Sequence, residues 1–443
     1  MSDLLIRATT PLVAALETGL TRTRPTIRLL SAVVVDSFSA SVDRISALAH
    51  RSGIALVVDP ETHLLRSTQP PTDRWTSLSW TPERRRSPED LLARGVADAL
   101  VARCLAHQLS LGATRLVLPY VHLDRADDGW LEVQLAFLAA ARRLALSGDY
   151  KVPLLAVVAV SWRLLGRPLW PAVLDPLAGA TAEIGPMTIA LAASKVDRGV
   201  HPEDRLSDLL VVTDRLSRIG PVIGWRQGRL GEAMVAAGAA GYETGLGSRE
   251  RCDLPQEVAA RRRDRTGGQG AAVYVEAVHA GVLPATRAAI AARRSTSVSL
   301  ACLDGTCCPD GGAGVTSPLH AMHRRAARLA ELDRVAAPTW RWSLPAERAE
   351  AAAVVGRRLN RVAATQGAPQ IDLTHMHSVA TVAHVRRRSD LAPEARADQS
   401  TSCVDCGETG LSGTEGGVRS SSPWVSAAAK PSTSGNIVAN RRS

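Results

Sequence analysis

Ser31-Ala-Val-Val-Val-Asp-Ser37 is a short apolar run closed by a carboxylate, and Ile54-Ala-Leu-Val-Val-Asp-Pro60 repeats the pattern. Between them, Ser41-Val-Asp-Arg-Ile-Ser-Ala-Leu-Ala-His50 offers a serine at a cap position and apolar residues at helical spacing, so the segment reads strand, helix, strand. The runs are continuously apolar, which implies burial on both faces and hence a parallel sheet covered by helices. Working outward, further strands are expected at 115–123, 152–160, 187–193, 221–225, 241–245 and 272–278. Helices are expected between them at 88–111, 130–146, 204–219 and 230–237. Eight such units in about 280 residues is the size of an α/β protein of the TIM-type (β/α)8 barrel class. An open doubly wound sheet is the other arrangement, but no Gly-x-Gly-x-x-Gly follows the first of these strands.

The barrel is expected over 1–300, a Cys/His loop and helical extension over 301–389, and a Ser-, Thr-, Gly- and Pro-rich disordered tail over 390–443. Helices over 318–335 and 345–364 form the extension, and 296–302 reads as an extended run leading into the cysteines. With 45% hydrophobic and 22% charged residues the chain has a globular composition. No apolar run approaches the roughly 18 residues that cross a bilayer, so no membrane partner is expected. Met1-Ser-Asp-Leu-Leu-Ile-Arg7 shows neither a basic-then-apolar leader nor a cleavage site, and a cytoplasmic protein is expected.

The formal net charge is +10, carried almost wholly by arginine, with Lys151, Lys195 and Lys430 the only lysines. This suits tRNA or DNA as a polyanionic partner, and equally suits a composition bias with solvated Arg faces. Aromatic residues make up 3%, too few for a dedicated base-stacking platform, so nucleic-acid contact would run from Arg to phosphate. Seven cysteines is an odd count, and with Cys104 and Cys252 isolated it argues for thiols or metal ligands rather than a disulfide framework.

In a barrel the residues at the C-terminal ends of strands line the active site. Here they are Asp36, Asp59, His122 with Asp124, Ser161, Ser194 with Lys195, Arg226, Glu243, and Glu276 with His279. Two converging carboxylates such as Asp36 and Asp59 can divide into acid and base, because repulsion and burial push their pKa values apart; each Asp serves equally well as a cap for its own loop. His122, with Asp124 two residues on, is a candidate general base or a satisfied rim histidine. Lys195 is a candidate Schiff-base amine or a solvated charge. The glycines of Gly238–Ser248, Gly245 and Gly247 above all, let a phosphate approach backbone N–H groups beside Arg226, or simply form a tight turn.

Cys302-Leu-Asp-Gly-Thr-Cys-Cys308 gathers three thiols, and His320 and His323 follow. Three thiolates and an imidazole suit Zn2+ in tetrahedral geometry, although C-x4-C-C is not a standard spacing. Cys403-Val-Asp-Cys406 is a C-x2-C half-site able to complete a four-thiolate set, and a redox dithiol or an idle loop stand as the other readings.

A barrel followed by a Cys cluster and a helical histidine resembles the tRNA-guanine transglycosylase superfamily, which includes DNA-directed deazaguanine transglycosylases. Asp36-Ser37 stand beside that family's Asp-Ser-Gly-Gly-Phe motif, and Cys302, Cys307, Cys308 and His323 beside its C-x-C-x2-C…His site. Phe38-Ser39 replace the paired glycines, and Gly228-Arg-Leu-Gly-Glu232 is the nearest counterpart of the family's Gly-Gly-Leu-Ala-Val-Gly-Glu. The resemblance implies a zinc-bearing barrel that exchanges a guanine base through an Asp nucleophile, with Glu243 or Asp253 in the corresponding part of the chain. It further implies Asp36 and Asp59 as base-recognition or acid/base groups, on a nucleotide taken out of its stack. Arg runs at 261–265, 293–294 and 324–325 would hold phosphates. Two other function classes remain: a small-molecule barrel enzyme of aldolase or phosphate-binding isomerase type, using Lys195 and the loop at 245–247, and a non-catalytic nucleic-acid-binding barrel.

Overall fold

Eight parallel strands close into a barrel in the order of the chain. They are β1 (Asp3–Arg7), β2 (Ala32–Asp36), β3 (Ala55–Asp59), β4 (Arg115–Val117), β5 (Leu154–Ser161), β6 (Thr188–Ser194), β7 (Val222–Gly224) and β8 (Gly241–Thr244), and β8 pairs with β1 to complete the circle. This computed structural model describes residues 2–8, 12–14, 17, 30–67, 73–81, 86–148, 151–247, 249–261, 272–302, 304, 307–308 and 318–400. The TIM-type (β/α)8 class read from the repeated apolar runs is the fold of the protein.

Its strand inventory differs at both ends. The first strand is Leu-Leu-Ile-Arg at the N-terminus, so Asp36 closes the second strand and Asp59 the third. The run expected as the eighth strand is instead one arm of an antiparallel hairpin outside the barrel, β9 (Val273–Val275) with β10 (Ala280–Val282). The extended run expected at 296–302 begins as a helical turn, Arg294–Ser297, and continues as a 3-10 turn, Val298–Leu300. Val273, Tyr274, Val275 and Val278 in the first segment and Thr296 and Val298 in the second favour extended backbone locally, but neither segment has a vacant barrel edge to join once β1 and β8 have paired.

Alternation along the strands explains why the barrel is dry below and charged above. One set of side chains, including Leu4, Ile6, Val33, Val35, Leu56 and Val58, joins the large core beneath the helices. The other set, including Leu5, Ala32, Val34, Val57, Val157, Ala159, Ala190 and Ala192, fills the barrel. The small alanines of β5 and β6 leave room for Trp225 and Tyr120, both fully buried. Counting two residues on from Leu5, Val34, Val57, Ala159 and Ala192 gives Arg7, Asp36, Asp59, Ser161 and Ser194, so the top inward layer is polar.

The connecting helices are α1 (Val42–Ser52), α2 (Val96–Ser110), α3 (Trp130–Ser147), α4 (Asp175–Ala182), α5 (Pro202–Ser217), α6 (Gly231–Ala236) and α7 (Leu254–Arg261). The single helix expected over 88–111 is two: a turn at Pro88–Leu92 with a Ser87/Asp90 capping box, then α2, with Gly95 at φ 77° between them. After the hairpin come α8 (Pro318–Asp333), α9 (Ser343–Thr365) and α10 (Thr374–Ser400). Met1–Pro393 form one compact unit and Glu394–Ser443 another. Beyond Ser400 the tail expected over 390–443 lies outside the described residues, and Cys403 and Cys406 with it. Among the described residues no helix is long and apolar enough to cross a membrane.

Candidate active site and metal centre

The polar top layer is a network of arginines and carboxylates with almost no solvent. Arg7 donates from Nη1 to Asp36 at 2.5 Å, from Nη2 to Asp59 at 2.8 Å and from Nε to Glu243 at 2.8 Å, and its side chain is 0% exposed. Arg226 extends the network: Nη2 donates to Asp59 at 3.0 Å and Glu61 at 2.7 Å, Nη1 to Glu257, and its backbone N–H to Glu243 at 2.7 Å. Arg249 donates to the second oxygen of Asp36 at 2.6 Å, and the Tyr120 hydroxyl to Asp59 at 3.0 Å. Asp36, Asp59 and Glu243, read from the strand ends, are thus brought together. Arg7, Glu61, Arg249 and Glu257 complete them. Of these, only Arg7 had a sequence signal, an apolar run ending in a charge just as in Val-Val-Asp.

Electrostatics decides what these carboxylates do. Burial alone would raise the Asp59 pKa, but the Arg7 and Arg226 guanidiniums override it and hold the carboxyl at about 2. The expected division of Asp36 and Asp59 into acid and base therefore fails at Asp59, which is an ionised acceptor at any pH near neutrality. Burial and the Asp59 charge push the Tyr120 phenol well up, so it stays a donor. Five described residues in the loops above the strands adopt left-handed backbone although none is glycine: Glu61 (φ 49°), Lys195 (φ 63°), His201 (φ 54°), Arg226 (φ 59°) and Arg249 (φ 55°). Strain of this kind, of order 1 kcal/mol or more each, persists where the surroundings over-determine the geometry and is typical of functional loops.

Two spaces open beside the network. His122 lies with His63, Arg66, Asp124 and Leu254 around a pocket of about 230 Å³. Burial first, and then Arg66, lower the His122 pKa to about 4, so its imidazole is neutral, and Nε2 is buried without a hydrogen-bond partner. Asp124, expected to be its partner, faces Arg163 at 3.6 Å instead. A cleft of about 330 Å³ on another side is lined by Arg198, Arg229, Arg249, Arg251, Asp253 and Glu257. Asp253 pairs there with Arg198 at 2.9 Å and with Lys195 at 3.9 Å.

The glycine loop does not present a phosphate cradle. Gly247 N–H donates to Glu250 at 3.1 Å and Gly245 N–H to the Arg249 carbonyl, so both donors are used inside the protein. Gly247 is required for shape: its φ is +84°, and a Cβ there would lie 2.2 Å from the Ala272 carbonyl oxygen. Arg226, expected on the same anion, is spent on Asp59, Glu61 and Glu257. Arg325, half of an expected phosphate-binding pair, is buried against Glu250 at 2.6 Å, and Arg324 pairs with Asp304 at 2.6 Å. The Arg run at 262–265 lies outside the described residues, and Arg293 and Arg294 are exposed.

The cysteine loop converges on a second centre. Donor atoms of Cys302, Cys307, Cys308 and His320 all lie within 4.8 Å of one another. Cys307 Sγ is 3.2 Å from His320 Nδ1, Cys308 Sγ is 3.6 Å from the same nitrogen, and the two sulfurs are 3.6 Å apart. A tetrahedron with Zn–S of about 2.3 Å and Zn–N of about 2.0 Å has edges of roughly 3.5–3.8 Å, so the donors fit zinc with little movement. The histidine is His320, on the first turn of α8, and not His323, whose Nε2 lies 3.5 Å from Asp304. Helical spacing explains the correction: residues three apart share a face, so either could have turned to the loop, and Asp304 settles which one does. Burial first, and then the neighbouring thiols, push the Cys307 thiol up. A divalent cation would reverse that preference and stabilise the thiolates. With four protein donors the site is closed, so zinc there would fix the loop to α8 rather than activate water.

No known protein-family profile matches the chain, and no curated protein matches it. Among solved structures it is similar to deoxyribose phosphate aldolase from Aeropyrum pernix, at 14% identity over 58% of this chain and 89% of that one, with a TM-score of 0.32. It is also similar to the carboxyl transferase domain of Rhizobium etli pyruvate carboxylase. The Y628A domain with pyruvate aligns at 11% identity over 89% of this chain and 78% of that one, with a TM-score of 0.33. Likenesses at this level carry no argument about the site, which is read from its own residues.

Proposed function

We propose that the protein is a zinc-bearing barrel enzyme of the base-exchange transglycosylase type, acting on a guanine base in nucleic acid. The observation that carries this reading is the convergence of Cys302, Cys307, Cys308 and His320 on the C-terminal side of the barrel, after the β9–β10 hairpin. That is the arrangement the resemblance to the transglycosylase superfamily implies, reached here through a different cysteine spacing. The cleft supports it too. A carboxylate beside guanidinium groups, as Glu257 and the arginines of the cleft provide, is what recognition of a guanine Watson–Crick edge needs, since the N1–H and exocyclic amine are donors, and guanidinium groups suit the O6 and N7 acceptors. The Arg-lined cleft then offers phosphate contacts to a nucleotide taken out of its stack.

Glu243 is fully buried and bonded to Arg7 and to the backbone of Arg226, which leaves it no approach to a sugar. Asp253 lines the cleft and is the nucleophile in this proposal. Its carboxylate would attack C1′ as the glycosidic C–N bond breaks. The base departs with its electron pair and takes up a proton, and an incoming base then displaces the carboxylate from C1′ through its own ring nitrogen, which gives up the proton it carried. The rival small-molecule reading keeps Lys195, half exposed beside Asp253, but not the glycine N–H groups, which are occupied.

The test is incorporation of labelled guanine into tRNA and into DNA by zinc-loaded protein, with binding measured in parallel. Asp253→Asn should lower exchange at least 1,000-fold, on the order expected for loss of a covalent nucleophile, while retaining nucleic-acid binding. Wild-type protein that binds neither polymer and exchanges no label would remove the proposal.

A further inference from the structure

Behind the Arg-lined cleft, and away from both centres above, a small cavity of about 40 Å³ lies between the loop after β7, α6, the hairpin and the helices α8, α9 and α10. Four arginines reach its wall: Arg229, Arg325, Arg328 and Arg348. His279 and His375 join them, and Glu232 is the only carboxylate among the described lining residues. Much of this charge is already committed. Glu232 takes Arg328 at 2.9 Å and Arg348 at 3.0 Å, and Glu250 takes Arg325.

What remains is a surplus of donors. Arg229 Nε and Nη1, Arg325 Nε, Arg328 Nε and both ring nitrogens of His375 are buried with no hydrogen-bond partner, although Asp372 and Asp197 lie 3.6 and 3.9 Å from Arg229 Nη1. His375 is only 3% exposed. Arginine carries five N–H donors and no acceptor, and a neutral imidazole offers a single acceptor nitrogen, which His279 already gives to Arg328, so donors outnumber acceptors here, and a buried donor left without an acceptor is destabilising. Water can fill such a space, but each water brings as many donors as acceptors. A tetrahedral oxyanion brings only acceptors and a negative charge. The volume holds about three waters or one such ion, and is far below the roughly 300 Å³ of an ordinary ligand pocket.

We infer that this cavity is a structural oxyanion site, taking an inorganic phosphate or sulfate that ties α8, α9 and α10 to the barrel through Arg229, Arg325, Arg348 and His375. Burial first, then the surrounding arginines, lower the pKa values of both histidines well below the ordinary range. An anion among them would favour their charged forms, consistent with the geometry. The inference does not depend on base-exchange activity.

The test is the thermal midpoint of the full chain, dialysed into chloride, on titration with inorganic phosphate at constant ionic strength. A saturable rise of about 4 °C at roughly one hundred times Kd is expected over matched chloride. It should be abolished in His375→Phe, which fills the cavity, and weakened at least tenfold in Kd in Arg348→Gln, whose site at the rim tolerates change if the first variant fails to fold. A nucleoside monophosphate should give no such rise, because the cavity is too small for a nucleoside. Equal midpoints in phosphate and chloride, a phosphate response unchanged in both variants, or an equal response to the monophosphate would each overturn the assignment, the last by moving the site to the open cleft.

Discussion

The barrel mouth and the loop after the barrel both collect buried groups that ordinarily hold metal ions. At the mouth, oxygens of Asp36, Asp59 and Glu61 lie within 4.8 Å of one another, and in the loop the donors of Cys302, Cys307, Cys308 and His320 do the same. The difference lies in what neutralises them. The mouth brings its own cations, since Arg7, Arg226 and Arg249 occupy the directions a metal would use. The loop does not: the neighbouring Arg324 is turned to Asp304 and Glu276. Two sets of ligand-type residues of similar compactness therefore differ in kind, one a closed salt-bridge network and the other a donor set that could hold a metal ion.

The sharpest way to break this contrast is to remove one charge from the mouth. Asp59→Asn leaves Arg7 and Arg226 each short of a buried carboxylate, and the loss in unfolding free energy should be about 3–5 kcal/mol by denaturant titration, with no change in bound metal. A metal-dependent loss at this position would mean that the mouth, too, holds an ion.

Acid should act on the mouth with a smaller effect. Asp59 has a folded pKa of about 2, below the usual aspartate value of 3.8, so its contribution is fully present above pH 4 and is lost as the pH falls through about 2. The shift corresponds to roughly 2 kcal/mol, which should be missing from the acid limb of the stability curve in Asp59→Asn. Superimposable acid limbs for wild type and variant would show that the guanidiniums do not hold this carboxylate down.

The smallest expected change separates two histidines a single turn apart. His323→Ala should keep metal bound and alter stability by less than about 1 kcal/mol, as expected for a partly exposed ion pair, whereas His320→Ala should lose the metal. Retention in the second variant with loss in the first would reinstate the ligand expected from the sequence.

These contrasts also mark what was legible in the sequence. Continuous apolar runs ending in charge carry the barrel and place Asp36, Asp59 and Glu243 at its mouth, because burial on both faces and strand alternation are local properties of the chain. The first strand went unread because Leu4-Leu-Ile-Arg7 lacks the valine run that marks β2 and β3, and leucine and arginine suit a helix as well as a strand. The hairpin at 273–282 was misplaced because a Val-rich run looks the same inside and outside a barrel, and only closure of β8 on β1 distinguishes the two. The donor set at the cysteines was legible to within a helical turn, whereas the arginines that fix the state of the carboxylates come from Arg7, Arg226 and Arg249, scattered over 243 residues (7 to 249) and joined only by the fold.

The most direct test of the central claim is metal content by plasma mass spectrometry on the full chain, wild type beside Cys307→Ser/Cys308→Ser. The account predicts about one zinc per wild-type chain, none in the variant, and an intact barrel by circular dichroism in both. Wild-type protein that stays metal-free after incubation with excess zinc and dialysis would contradict it, and would leave the cysteine loop as three thiols packed beside His320.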